Sequence, residues 1–411
     1  MERKLASIQT VVEVNPIEGA DRIEQITVLG WSLVAKKSEF KPGDLCVFLE
    51  IDAVLSETAP WAAFMKDRKF RVKTVKMRGC LSQGLALPLD ILPPNFDMCV
   101  DVLKPGLDVT EVLGVRKYEP PETGGVNGYV YGAPMPLFVP RTDEVRLQSA
   151  PALLDEIKQY DFYWTVKLDG FSATYIRTDR QYALWKPGDL IVCNRKVATR
   201  EDPNLEDPNN KGAFWPMARK YDLANRLPIG FAVQGEIMGP KVAGNKLELE
   251  EHDLFIFSVY NMAESRFLDL HEFLVFCRDH GLKAVPAGGL VFYFSEDANN
   301  NRKNVLAQEL MDDFGFSRLI MLMGKTELDR AKALDVLAET DSTGRTFDVN
   351  WFLKTAQGNY TGTQNRREGI VVRPVCNVDS PTLAGLVNLT TESPRLTFKV
   401  LNNDYLLKDE T

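Results

Sequence analysis

The sequence predicts an α+β protein in two parts: a small β domain over residues 1–118 and a larger mixed domain over residues 137–411, joined by a linker at 119–136. Three observations predict it. Short runs of alternating apolar and polar residues fill the first part, with turn residues between them and no long helical pattern. Eight of the 18 residues from 119 to 136 are Gly or Pro, too many for a packed element. Beyond that stretch, strand-like runs are interspersed with helical ones.

In the first part the strand-like runs fall at 26–28, 31–35, 45–51, 70–75 and 85–87, separated by turns such as Leu29-Gly30 and Lys41-Pro42-Gly43-Asp44. Five short strands in about 100 residues suit a small barrel of the OB type. In the second part, helices are expected at 141–148 and 151–159. Strands follow at 162–166, 173–176, 190–193, 231–237, 254–260, 369–373 and 395–400. Further helices are expected at 212–225, 270–280 and 304–339, and residues 297–360 read as a helical insertion.

Composition is that of an ordinary globular protein, 45% hydrophobic and 26% charged, so neither disorder nor a fibrous class is indicated. No apolar run reaches the length of a membrane span, and the N-terminus lacks the apolar core of a secretory signal. Six widely spaced cysteines without a C-x-x-C pair argue for free thiols and against structural zinc. An intracellular protein without membrane attachment, in the cytoplasm, the nucleus or an organelle, is therefore expected; a monomer is expected as well. With three histidines in the chain, a His-based triad or zinc hydrolase is disfavoured. Gly324-Lys325-Thr326 ends like a phosphate-binding loop, but Leu319 stands where that pattern requires Gly. A net charge of −8 counts against coating nucleic acid wholesale, but not against a local basic surface. Residues 66–78 supply one: seven basic residues, one acid and one aromatic, suited to backbone phosphates or to a solvated strand edge.

The chemistry concentrates in the second part. Lys167-Leu168-Asp169-Gly170 closes an apolar run (Phe162, Tyr163, Trp164, Val166) with a lysine, an acid and a glycine. A lysine there is poorly placed for solubility, but its amine can attack phosphorus once deprotonated. By itself the motif also fits a strand end followed by an Asp-Gly turn. Five more segments follow. Arg195 ends the run Val192-Cys193-Asn194. Glu236 closes a strand between Gly235 and Gly239, with room for a ligand beside it. Phe255 and Phe257 share one strand face, where core packing competes with stacking on a purine. Glu368-Gly369 opens a β-branched run, again placing a carboxylate at a strand mouth. Lys399 stands alone inside the apolar run Leu396–Leu401 and needs an anionic partner or an edge from which to reach water.

In order, these segments resemble motifs I, Ia, III, IIIa, IV and V of the covalent nucleotidyltransferases, the DNA ligases, RNA ligases and capping enzymes. The resemblance covers residues 137–402. With the β domain placed first and 12 residues after Lys399, no further domain is expected downstream. That order resembles the ATP-dependent RNA ligases with an N-terminal OB domain, the fifth Rnl group. Leu29-Gly30-Trp31, residues 39–44 and 47–55, Arg78-Gly79 with Ser82-Gln83-Gly84, and Arg141-Thr142-Asp143-Glu144 with Arg146, Leu147 and Gln148 resemble that group too. Two positions depart from the common pattern: Thr397 stands where many ligases have a first motif V lysine, and Asn194 where motif Ia often has Ser.

The resemblance implies an OB-like domain followed by a ligase-type adenylation domain. It also implies Lys167 as nucleophile on the α-phosphorus of ATP, AMP as a covalent lysyl intermediate, and Mg²⁺ or Mn²⁺ met by Asp169, Glu236 and Glu368. Lys399 would act in catalysis with these residues. Arg146, Gln148, Gly170, Arg195 and Phe257 would bind the nucleotide, with Phe255 the second choice for the stack. Cations near Lys167 would lower its pKa. The substrate implied is RNA with 3′-OH and 5′-phosphate ends, in nicked duplexes. The alternatives are a DNA ligase or capping enzyme of altered domain order, and a non-catalytic RNA-binding protein.

Overall fold

The computed structural model describes residues 4–94, 96, 103–118, 129–201, 213–294, 300–316, 318–323, 348–386 and 392–408. They form two compact units. The first comprises Met1–Thr123, Leu147–Pro151 and Leu406–Thr411; the second comprises Gly124–Arg146 and Ala152–Tyr405. Among the described residues no helix is long and apolar enough to cross a membrane.

The first unit is built on an antiparallel five-stranded sheet in the order Trp31–Lys36, Ile23–Val28, Ala6–Pro16, Leu45–Leu49, Leu85–Leu87. Its central and longest strand, Ala6–Pro16, is absent from the runs read in the sequence. The buried polar side chains Ser7 and Gln9 break its alternation, and they satisfy each other at 2.9 Å. A bulge between Val11 and Glu13 lets the one strand pair with Leu45–Leu49 in its first half and with Ile23–Val28 in its second. The expected strand at 70–75 is displaced to Thr74–Met77, because Lys69 and Phe70 adopt left-handed backbone (φ 50° and 57°) that no strand continues through.

The second unit has two sheets. One runs Val145–Arg146, Phe398–Leu401, Gly369–Pro374, Phe162–Lys167, Ala287–Phe294, Arg318–Met323. The other runs Tyr129–Pro134, Val197–Glu201, Leu190–Cys193, Phe171–Arg177, Phe231–Met238, Asp253–Asn261, Arg266–Phe267, with Lys283–Ala284 beside Asp253–Asn261. Helix Leu270–Asp279, fixed at its start by a capping box between Asp269 and Glu272, packs its apolar face into the main core with Phe214, Met217, Ile256 and Leu290.

Several sequence expectations change here. Residues 141–148 form no helix: Val145 and Arg146 pair in parallel with Phe398 and Lys399, and a short 3-10 turn follows. The helix expected at 212–225 is two short helices, Phe214–Lys220 and Leu223–Arg226, divided at Asp222, which is left-handed. Of the linker, Tyr129–Pro134 is a strand paired with Val197–Glu201; residues 119–128 lie outside the described residues. In the segment 297–360, helix Asn300–Phe314 stops at Gly315 (φ 66°), and Arg318–Met323 extends the first sheet in parallel beside Ala287–Phe294. The remainder of the helix expected to 339 lies outside the described residues.

Candidate active site

The strand Phe162–Lys167 belongs to the first sheet of this unit and Phe171–Arg177 to the second. The chain therefore crosses between sheets in three residues, Leu168-Asp169-Gly170. Gly170 is required by space: a Cβ there would lie 2.3 Å from the Ile237 carbonyl oxygen and 2.6 Å from Met238 Sδ. Strand register supplies the neighbours. Lys167 lies opposite Gly369, so Glu368 arrives beside the lysine. Val371 lies opposite Lys399, and Lys399 opposite Arg146. On the other sheet Ser172 lies opposite Glu236, and Glu236 opposite Phe255.

The two sheets enclose a cavity of about 210 Å³ within this unit. Lys167, Arg195, Glu236, Phe257, Glu368 and Lys399 all line it, together with Arg141, Glu144, Gln234 and Arg373. Phe255 is not a lining residue; it packs with Leu168, Met238, Val285 and Tyr360. The space expected at Gly235 is taken by the neighbouring strand, since a Cβ there would meet the Phe255 carbonyl oxygen at 2.6 Å.

Lys167 Nζ donates to Glu368 Oε2 at 2.6 Å. Burial alone would lower the lysine pKa, but Glu368, Glu236 and Glu144 outweigh it and hold the ammonium above its ordinary range. Among the protein's own groups the carboxylates therefore outweigh the lowering expected from Lys399 or Arg195. Glu236 accepts from the Gly170 amide at 2.9 Å. Burial, with the Glu368 and Asp169 charges adding to it, pushes its carboxyl up to about 7 against the pull of Lys167 and of the Gly170 amide. Burial also pushes Lys399 down to about 8, reinforced by Lys167 and Arg146. Arg195 is bonded to Asp143.

Not every expected residue reaches the cavity wall. Asp169 Oδ2 accepts from Lys246 Nζ at 2.5 Å and from the Tyr405 hydroxyl at 2.6 Å. Arg146 stands one strand beyond the cavity, beside Lys399. Gln148 belongs to the first unit, is 1% exposed, and its carbonyl accepts from the Gly30 amide.

Other site residues were not read from the sequence. Arg373, 2% exposed, donates to Glu144 at 3.0 Å, a buried ion pair in the cavity wall. An arginine inside an apolar strand carries the same signal that singled out Lys399. The Tyr360 hydroxyl donates to the Lys167 carbonyl and accepts from the Glu368 amide, both at 3.3 Å, tying the two motifs together. Lys246 and Tyr405 had no signal, since one lies in an irregular loop and the other in the last helix.

A hard divalent cation takes oxygen ligands, and Glu236 and Glu368 meet that requirement. Their mutual repulsion, part of what raises Glu236, is what a cation relieves. Among the described residues no three potential ligands gather closely enough to hold a metal by themselves. A cation here would share its shell with water and phosphate oxygens.

A family model described as RNA ligase matches residues 161–400, and one described as an OB-fold domain matches residues 5–89. Solved structures of Naegleria gruberi RNA ligase are similar over the whole chain. A glutamate-to-alanine mutant with ATP and Mn shares 26% identity, covers 100% of both chains and gives a TM-score of 0.72. The protein with PPi shares 27% identity, covers 99% of each chain and gives 0.70. Another mutant, with AMP and Mn, shares 28% identity, covers 98% of each chain and gives 0.70. No protein of curated function matches the chain.

Proposed function

The chain belongs to the RNA ligase family, and on that premise we propose that it seals RNA 3′-OH and 5′-phosphate ends with ATP, acting as a monomer on nicks in duplexes. The observation that carries the reading is the Lys167 amine in a cavity walled by four carboxylates, four further cations and Phe257, with Glu368 bonded to the amine itself. Relatives described with ATP, AMP, PPi and Mn support the same cofactor set.

In this reading Lys167 passes a proton to the Glu368 carboxylate bonded to it, and the freed amine attacks the α-phosphorus of ATP, forming lysyl-AMP and releasing pyrophosphate. Glu368, at 2.6 Å, fixes the amine in place. Lys399, pushed down to about 8, is still mostly charged at pH 7 and orients the phosphates, with Arg146 adding positive charge one strand behind it. Phe257 stacks on the base, Arg195 holds the sugar side of the nucleotide, and Gly170 leaves the crossing flush against the wall. A bound Mg²⁺ or Mn²⁺ would neutralise phosphate charge, held by Glu236 and Glu368. AMP then passes to the RNA 5′-phosphate, and the 3′-OH displaces it. All three steps are in-line displacements at phosphorus, so one set of cations serves each.

The test is covalent labelling with radiolabelled ATP and, separately, GTP. Labelling by ATP, lost in Lys167→Ala with the fold retained, is the expected outcome. Preferential labelling by GTP overturns the ATP reading, and a labelled Lys167→Ala variant overturns the nucleophile.

A further inference from the structure

We propose that Lys246 and Tyr405 are positioning residues: they fix Asp169, and through it the three-residue crossing that aims Lys167 at the nucleotide. The inference rests on reading Lys167 as the nucleophile.

Asp169 is two residues from the nucleophile but does not line the cavity. Its Oδ2 instead closes a triangle. Lys246 Nζ donates to it at 2.5 Å and to the Tyr405 hydroxyl at 3.0 Å, and that hydroxyl donates to Asp169 at 2.6 Å. The ammonium also lies 4.2 Å from the centroid of the Tyr405 ring, within cation–π range. The lysine and aspartate side chains are 20% and 26% exposed, so the pair is partly withdrawn from water and its charge-assisted bonds are strengthened.

The triangle completes a pattern. Each residue of the crossing is held by contacts of its own. Leu168, 4% exposed, packs with Met238, Val285 and Tyr360. The Gly170 amide donates to Glu236. Asp169 is held by Lys246 and Tyr405. Lys246 is also tied to the segment that leads into Glu368: its carbonyl accepts from Asn365 Nδ2 at 3.1 Å. The loop carrying Lys246 holds Ala243, Asn245 and Glu248 at positive φ (41°, 51° and 56°), a costly backbone that persists where surrounding contacts over-determine it.

A near-attack geometry is sensitive to small displacements, so loosening the crossing slows chemistry more than it weakens nucleotide binding. Tyr405→Phe, which removes one hydroxyl, and Lys246→Met are expected to slow lysyl-AMP formation by about ten- to a hundredfold. The KM for ATP should stay within about twofold. Sealing of a chemically pre-adenylylated nick, which bypasses the Lys167 attack, should fall far less, and Lys246→Arg should restore most of the rate. In an Asp169→Asn background, Tyr405→Phe should add little. Equal losses in both assays, a rise in KM alone, or no rescue by arginine together with full additivity would overturn the proposal. Absence of labelling in the unsubstituted protein would instead overturn the nucleophile reading on which it stands.

Discussion

At the scale of the residue, charge governs the site. Four ionisable groups, Lys167, Glu236, Glu368 and Lys399, share one cavity wall, and two of them sit far from their ordinary titration ranges. Glu236, pushed up to about 7 chiefly by burial, makes a signed prediction. Below about pH 4.5 it is protonated folded and unfolded alike and costs nothing. As pH rises, the unfolded chain ionises first, so the folded state binds more protons and stability falls until about pH 7, after which the deficit is constant. Glu236→Gln lacks this term and keeps an acceptor for the Gly170 amide. The variant should gain stability over the unsubstituted protein between pH 5 and pH 8, on the order of 1–3 kcal/mol. Melting temperatures of both proteins across that range check it, and parallel curves would refute the assignment. Residue types at this scale were legible in the sequence because each broke a local rule: a lysine inside an apolar strand, or a glutamate at a strand mouth. Their protonation was not legible. The sign at Lys167 depends on Glu144 and Glu368, which lie 23 residues before and 201 residues after it in the chain and are brought together only by strand pairing.

At the scale of the element, the decisive feature is the crossing between sheets. Asp169-Gly170 reads in the sequence as a turn; in the structure it is a bend at Gly170 on the way from one sheet to the other. The sequence does not say that its two flanking strands enter different sheets, because periodicity is the same on both sides. The same limit explains the missed strand Tyr129–Pro134, which Gly132 and Pro134 disguised as linker, and the helix assigned to 141–148, where Val145 and Arg146 are taken up by Phe398–Leu401. The crossing makes its own prediction. Gly170→Ala puts a methyl 2.3 Å from a backbone oxygen, which no side-chain movement relieves. We expect a loss of about 1–3 kcal/mol in stability and a larger proportional loss in lysyl-AMP formation, since the backbone that must shift carries Lys167 and contacts Glu236. Denaturation midpoints and single-turnover labelling, measured together, check both parts. A variant that matches the original in both would remove the close-packing argument.

At the scale of the whole molecule, the question is how a chain of net charge −8 engages a polyanion. The local answer lies in the first unit. Of the seven basic residues in 66–78, Lys66, Arg68, Lys69, Lys76 and Arg78 are exposed. Arg71 is committed to Asp52 at 3.0 Å and to the face of Tyr118 at 3.5 Å. Lys76 lies on the first strand of the hairpin formed by Thr74–Met77 and Cys80–Gln83 and Arg78 in its turn, both exposed, so replacing them leaves the core untouched. A solvated strand edge and a phosphate-binding edge look alike by composition, but they respond differently to charge reversal. If this edge holds the RNA backbone, Lys76→Glu with Arg78→Glu should weaken binding of nicked RNA. It should also flatten the dependence of affinity on salt, by about 1.5 in the log–log slope. Sealing at low RNA concentration should fall accordingly. In the proposed mechanism, formation of lysyl-AMP needs no RNA and neither of these two residues, so its rate should not change. An unchanged salt slope would leave the edge as solvated surface, and an equal fall in both reactions would mean that the substitutions act on the fold and not on the substrate.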